Sequence, residues 1–301
     1  MSLTAKPAAL RCPGETLQVV PAVQSNSPER AAMSRSFNLD AFGFFLFDLD
    51  GVVYSGNQLV PGAADVLDKL DQLGKRYLFI TNHTKYTKLS LAAKLGGLGI
   101  DIAENLLLTA NDAVMEFIAG RHARPSEVKI HLIGSGGIGE ELSQYGFELT
   151  SERPNYVVIG WDPEISYEKL YLAARNVREG AVFVVTSPDR YIPSERGWEL
   201  GFGALGASIA YATGRDPIYV GKPYPSMISA ALARLGAPPE LTVIVGDTPE
   251  TDIRAGHLSG LGGSLLVLTG NAQRSDLATL PADAQPTLVL DSILDIGRLL
   301  P

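Results

Sequence analysis

From Phe44 onward, short apolar runs alternate with stretches of helical periodicity. This alternation limits the chain to few folds, because strands joined through helices lie parallel in one sheet with the helices on its faces. Phe44–Phe47 reads as the first strand, Pro61–Leu73 as a helix opened by Pro-Gly, Arg76–Ile80 as the second strand and Lys85–Leu98 as a helix closed by glycines. The pattern restarts with strands at Val128–Ile133, Tyr156–Ile159 and Val182–Val185, with helices near 138–145 and 166–178 between them. A third block carries strands at Ile218–Val220, Leu241–Val245, Ser264–Leu268 and Thr287–Leu290, with helices near 225–235 and 250–259. The expected fold is α/β throughout.

With 301 residues the chain exceeds a usual single domain of about 100 to 200 residues, so more than one packed core is expected. Residues 1–36, with Pro7, Pro13, Pro21, Pro28 and scattered serines, read as an ill-ordered extension, and Met33 is an alternative natural start. Acidic residues outnumber basic ones, 33 to 25, which argues against a nucleic-acid partner, whose phosphate backbone attracts basic proteins. No apolar run approaches the roughly 18 residues of a membrane span, and no secretory signal opens the chain. A single cysteine, Cys12, excludes an intrachain disulfide and a cysteine zinc cage. A cytoplasmic protein that binds no membrane is the expectation.

Ligands of open parallel sheets bind beyond the carboxyl ends of strands. Four polar segments follow apolar runs directly: Asp48 and Asp50 in FLFDLDGVVY, Thr81 and Asn82 in LFITNHT, Lys222 in YVGKP, and Asp247 and Asp252 in VIVGDTPETDI. Each alone is weak, since Asp and Asn are common in turns and caps. Together they form the set that phosphoryl transfer through a covalent intermediate requires. Asp48 is the candidate nucleophile. A carboxylate approaching a phosphate dianion needs positive charge, which Mg²⁺ on Asp48, the backbone carbonyl of Asp50 and Asp247 would supply, with Lys222 as a fixed second charge. Thr81, through its hydroxyl, and the amide of Asn82 are the candidate phosphoryl grips, and Asp252 stands behind the metal's waters. Asp50, two residues beyond Asp48 and crowded by carboxylates, is expected to have a raised pKa and to act as general acid and base. If these residues share one site, the middle of the chain is an insertion into a single core.

The four segments, in this order and strand context, resemble the four motifs of the haloacid dehalogenase superfamily. DLDGVVYSG with LVPGA, then TN, GKP and GDTPETDI, is similar to the subgroup of 4-nitrophenyl phosphatases, ribonucleotide monophosphatases, pyridoxal phosphatases and phosphoglycolate phosphatases. The resemblance implies a Rossmann-like core from 37–104 and 213–301, an α/β cap inserted as 105–212, Mg²⁺, and homodimers through the cap. It implies hydrolysis of a small phosphorylated metabolite: a sugar phosphate, nucleotide, phosphoglycolate or pyridoxal phosphate. His83 stands where the subgroup has a second Asn, and Thr186–Asp189 reads TSPD where TNPD is common. His83 is open to two readings, a substrate-binding side chain or a turn histidine. Asp189, Arg190 and Arg196, in the loop Ser187–Trp198, are candidates to meet substrate, against the plainer reading of a solvated loop.

Other readings stay in view. GSGGIG at Gly134–Gly139 follows a strand and fits a dinucleotide-binding turn, but the same spacing recurs at Gly201–Gly206, where no strand is expected before it. A halide leaving group needs no proton, so Asp50 favours phosphate esters over dehalogenation. Phosphotransfer from the same aspartyl phosphate, and a NAD-binding or non-enzymatic binding protein, are the alternatives.

Overall fold

The computed structural model describes residues 37–194 and 197–301; residues 1–36 and the candidate Arg196 lie outside them. In chain order, strand β1 (Phe44–Phe47) is followed by a hairpin of β2 (Tyr54–Ser55) and β3 (Gln58–Leu59), then helix α1 (Ala63–Gln72), β4 (Arg76–Thr81), α2 (Lys88–Gly97), β5 (Leu107–Thr109) and α3 (Ala110–Ala119). The middle of the chain runs β6 (Lys129–Ile133), α4 (Gly137–Tyr145), β7 (Glu148–Leu149), β8 (Tyr156–Ile159), α5 (Tyr167–Arg178), β9 (Val182–Val185), a hairpin of β10 (Tyr191–Ser194) and β11 (Gly197–Leu200), α6 (Phe202–Thr213) and β12 (Ile218–Tyr219). The last part holds α7 (Pro225–Leu235), β13 (Thr242–Gly246), α8 (Arg254–Leu258), β14 (Gly263–Val267), β15 (Leu288–Leu290) and α9 (Leu294–Leu299).

A six-stranded parallel sheet has the order β15-β14-β13-β1-β4-β5. The chain leaves β1 toward β4 and β5 and returns on the other side of β1 through β13. The carboxyl end of β1 is therefore the point where strand order reverses, the place where open α/β sheets bind ligands. Strand alternation divides the interior. Phe45, Phe47, Phe79, Val243 and Val245 join one apolar cluster, under α1 and α9. Leu46, Leu78, Ile80 and Ile244 face the other, with α3 and α7. Burial on both faces explains why β1 reads FFLF without polar interruption.

The middle of the chain builds a second parallel sheet, β12-β9-β8-β6-β7. One face of it, through Ile130, Val158 and Val184, packs into the same cluster as Leu46 and Leu78; the other, through Val157, Ile159 and Val185, packs under α5 and α6. Residues 37–301 thus form one compact unit.

Sheet membership shifts the expected boundaries at both crossings. Leu107–Thr109, within the stretch read as cap, pairs with β4 in the six-stranded sheet. Ile218–Tyr219, read as core, pairs with β9 in the five-stranded sheet. Both strands are too short for their own pattern to reveal which sheet they extend. The Ser187–Trp198 segment, read as a loop, includes the hairpin of β10 and β11, so a strand does precede Gly201–Gly206. No helix among the described residues is long and apolar enough to cross a membrane.

Candidate active site

The four strand-end segments converge at the carboxyl end of β1. Asp48 extends the ladder by one bond, its amide donating to Val245 O at 2.8 Å, and its side chain is nearly buried. Lys222, 2% exposed, reaches it from the returning chain: its Nζ lies 2.7 Å from Asp48 Oδ1 and 2.7 Å from Asp252 Oδ1, and donates to Ile80 O at 3.3 Å. Asp252 accepts the Thr248 amide on its other oxygen at 3.0 Å, so both of its oxygens are held in place. Asp247, following β13, accepts the Asn271 amide at 2.7 Å and the Thr248 hydroxyl at 3.0 Å.

Two glycines let the backbone close around Asp247. A Cβ on Gly51, where φ is +77°, would lie 2.4 Å from Asp247 Oδ2, and one on Gly270 would lie 1.9 Å from it. Gly51 donates its amide to Tyr54 O at 2.7 Å and so turns the chain that carries Asp50.

Asp48, Asp247 and Asp252 each bring a carboxylate oxygen into a group spanning no more than 4.8 Å. Three buried carboxylates face one lysine, and two of them, Asp48 and Asp247, are held above the usual carboxylate range. Burial raises the Asp48 carboxyl well above its ordinary range against the pull of Lys222, with Asp252 and Asp247 adding to the rise. Burial and then Asp252 push Asp247 up to about 7 against the Asn271 and Thr248 hydrogen bonds. For Lys222 burial favours proton loss, but Asp252 and Asp48 outweigh it and hold the ammonium firmly charged. Hard oxygen donors with unneutralised charge fit a hard divalent cation, Mg²⁺ among them.

Asp50 is raised as expected, but by another cause. Burial lifts it, while Lys94, the hydrogen bond from Tyr54 (3.0 Å) and Lys222 pull it down; neighbouring carboxylates do not drive the shift.

Thr81 is buried at the end of β4, its hydroxyl accepting the His83 amide at 3.1 Å. The Asn82 side chain accepts the Lys222 amide at 2.8 Å and donates to the Lys222 carbonyl at 3.0 Å, tying the two strand-end segments together as a ladder would. Asp189 also arrives here. It accepts from Asn82 Nδ2 at 3.4 Å and from the Ser187 hydroxyl at 2.6 Å, and burial raises its carboxyl against these bonds. The second sheet thereby delivers its β9 end to the first sheet's site. Arg190, one residue on, is exposed. His83 takes the turn geometry: its Nδ1 accepts the Lys85 amide at 3.0 Å and its ring stacks on Tyr86. Burial, with Lys94 and Lys85, pushes its pKa down to about 4, so it is neutral at physiological pH.

A haloacid dehalogenase-like hydrolase model matches residues 45–148, and a second model of that hydrolase type matches 219–296. Over 249 residues the chain is 34% identical to the ribonucleotide monophosphatase NagD of Escherichia coli, covering 83% of this chain and 96% of that one. The chain belongs to the haloacid dehalogenase-like hydrolase family. The crystal structure of 4-nitrophenylphosphatase from Thermotoga maritima superposes with a TM-score of 0.81 at 30% identity, over 87% of this chain and 98% of that one. That of glycerol phosphate phosphatase from Mycobacterium tuberculosis in complex with magnesium gives 0.77 at 30% identity, over 87% and 78%. In enzyme class this member of the family is a phosphoric monoester hydrolase.

The glycine motif that suggested a dinucleotide has a packing role in this hydrolase. The amides of Gly137 and Ile138, at the start of α4, donate to Lys85 O (2.8 Å) and Thr84 O (3.0 Å), and a Cβ on Gly137 would lie 2.0 Å from the carbonyl carbon of Tyr86. The amides that would cradle a pyrophosphate are spent on the segment between β4 and α2.

Sequence reasoning missed Thr248, Asn271, Tyr54 and Lys94. Asn271 had a signal: TGN at Thr269–Asn271 comes just after an apolar strand, a fifth segment of the kind that exposed the other four. Lys94 had none, since it lies mid-helix among ordinary surface spacing.

Proposed function

We propose that this hydrolase cleaves small phosphomonoesters through a phosphoaspartate on Asp48. The observation that carries the reading is the placement of Asp48 at the strand-order reversal, 2.7 Å from a buried lysine and grouped with Asp247 and Asp252. In the first step an Asp48 oxygen bonds to phosphorus, the bond from phosphorus to the ester oxygen breaks, and Asp50 gives its proton to the departing alkoxide. In the second, Asp50 takes a proton from water, the water oxygen bonds to phosphorus, and the Asp48–phosphorus bond breaks to free inorganic phosphate. Lys222 holds Asp48 in position and offsets its charge; the Thr81 hydroxyl and Asn82 amide hold phosphoryl oxygens. Mg²⁺ bound by Asp48, the backbone carbonyl of Asp50 and Asp247 would supply the charge that offsets repulsion between carboxylate and phosphate dianion.

Nucleotide and polyol phosphates are the substrate classes that the relatives' names support. Asp189, held against Asn82 by the TSPD segment, is the cap residue best placed to meet them. The exposed Tyr211 and Ile218 beside edge strand β12 support a homodimer formed through the second sheet.

Phosphate release from 4-nitrophenyl phosphate by the parent and by Asp48→Asn, each with Mg²⁺ and with EDTA, tests the reading. Release by the parent only, and only with metal, is expected; equal release by the variant overturns it.

A further inference from the structure

Beside Asp50, the six-stranded sheet and the cap sheet meet through a cluster of rings and two lysines. Tyr54 donates to Asp50, and the Nζ of Lys94, from α2, lies 3.8 Å from the Tyr54 ring centroid and 5.3 Å from that of Tyr86. The Nζ of Lys85 lies 5.5 Å from the Tyr86 centroid and 4.9 Å from that of Trp161, just beyond β8. Trp161 is fixed there by its amide, which donates to the Thr84 hydroxyl at 2.8 Å. The His83 ring stacks on Tyr86 at 5.1 Å.

Among the described residues neither ammonium forms an ion pair. The two positive charges oppose one another: burial lowers the hold of Lys94 on its proton, and although Asp50 counters this, Lys85 adds to it. Ring contacts of this kind attract a lysine only weakly, so they do not replace a counter-ion. Lysines and His83 already cover the rings, which leaves paired positive charge, rather than open ring surface for a base, as the feature a ligand meets. Lys94 stands beside the Tyr54–Asp50 hydrogen bond, where the reading above has the leaving group take its proton, and Lys85 shares the Tyr86 ring with it.

We propose that Lys85 and Lys94 form a leaving-group subsite selecting phosphomonoesters whose alcohol portion carries its own oxyanion, a carboxylate or a second phosphate, a few bonds from the ester oxygen. This rests on the phosphatase reading above and narrows its substrate class. An anion between the two ammonium groups relieves their mutual repulsion and orients the ester oxygen toward the acid on Asp50.

The test compares matched esters with Mg²⁺: phosphoglycerate against glycerol phosphate, propanediol bisphosphate against propyl phosphate, with AMP as the nucleotide. The parent is expected to prefer the charged partner by about tenfold or more in kcat/KM, expressed in KM and shrinking with added salt. Lys94→Gln and Lys85→Gln each reduce that ratio, the double variant brings it near one, and Lys94→Arg restores it. The carboxylate and bisphosphate pairs show which oxyanion is preferred. A ratio near one in the parent, a ratio unchanged in the double variant, or AMP outrunning both charged esters overturns the proposal. Titration calorimetry of Asp48→Asn with the same pairs reads the preference without turnover. A parent inactive on every ester therefore sinks the phosphatase reading, while the binding ratio still decides the subsite.

Discussion

The Nζ of Lys222 lies 2.7 Å from Oδ1 of Asp252, a residue thirty positions later in the chain, and the same nitrogen lies 2.7 Å from Asp48. Both contacts are buried, so the lysine is as much a part of the core as of the chemistry. Lys222→Met leaves two carboxylates without their cation, and breaking a buried pair this way costs about 3 to 5 kcal/mol. Urea unfolding is expected to show a loss of that order at pH 8 and a smaller one at pH 5, because the Asp48 carboxyl, raised by burial, takes up a proton as pH falls. An equal loss at both values would remove the carboxylates from the explanation.

Asp50→Asn is expected to slow hydrolysis of alkyl phosphates by about a hundredfold to ten-thousandfold, the usual worth of a general acid. On 4-nitrophenyl phosphate the loss is smaller, because that leaving group departs without a proton. For alkyl esters kcat/KM falls as pH rises through the raised pKa of Asp50, since its acid form is the one that donates. Equal losses in kcat/KM, which ends with formation of the phosphoaspartate, would remove leaving-group protonation from the account of Asp50; an equal loss in kcat alone reports the shared hydrolysis of the phosphoaspartate.

Asp247 keeps its proton up to about pH 7, and a protonated carboxyl is a poor metal ligand. The rise in Tm on adding Mg²⁺ should therefore be large at pH 8 and fade as pH falls through about 7. The sign for the metal-free protein is the reverse. A carboxyl with a raised folded pKa binds more protons when folded, so stability falls as pH rises from the unfolded value toward the folded one. Thermal scans across this range, with Mg²⁺ and with EDTA, read both effects.

Gly137→Ala places a methyl 2.0 Å from the Tyr86 backbone, which cannot move aside without parting α4 from the segment between β4 and α2. A loss of about 1 to 3 kcal/mol is expected, as for other overpacked sites. Gly139→Ala, whose new methyl would find its nearest neighbour at 3.6 Å, should be neutral or gain about 0.5 to 1 kcal/mol from helix propensity. Similar behaviour of the two variants in chemical denaturation would refute the packing account of the motif.

The sequence by itself determined the α/β class and the strand-end segments that carry Asp48, Asp50, Thr81, Asn82, Lys222, Asp247 and Asp252, which the fold gathers at one place, because each follows an apolar strand and strand ends are where parallel sheets expose polar groups. It missed α6, whose Gly203 and Gly206 dilute its helical pattern; those glycines admit Pro188 O and Val185 at 2.2 and 2.8 Å from where a Cβ would stand, a need visible only once the helix is packed. It named no strand at β5 and left the partner of β12 open, since three-residue and two-residue strands take their partner from space rather than from pattern. Tertiary structure alone brought Asp189 to Asn82, made burial the cause of the raised Asp50, and set Lys94 against Tyr54, because contacts between segments 40 to 107 residues apart, and the dielectric around a carboxyl, depend on how helices and sheets pack rather than on local pattern.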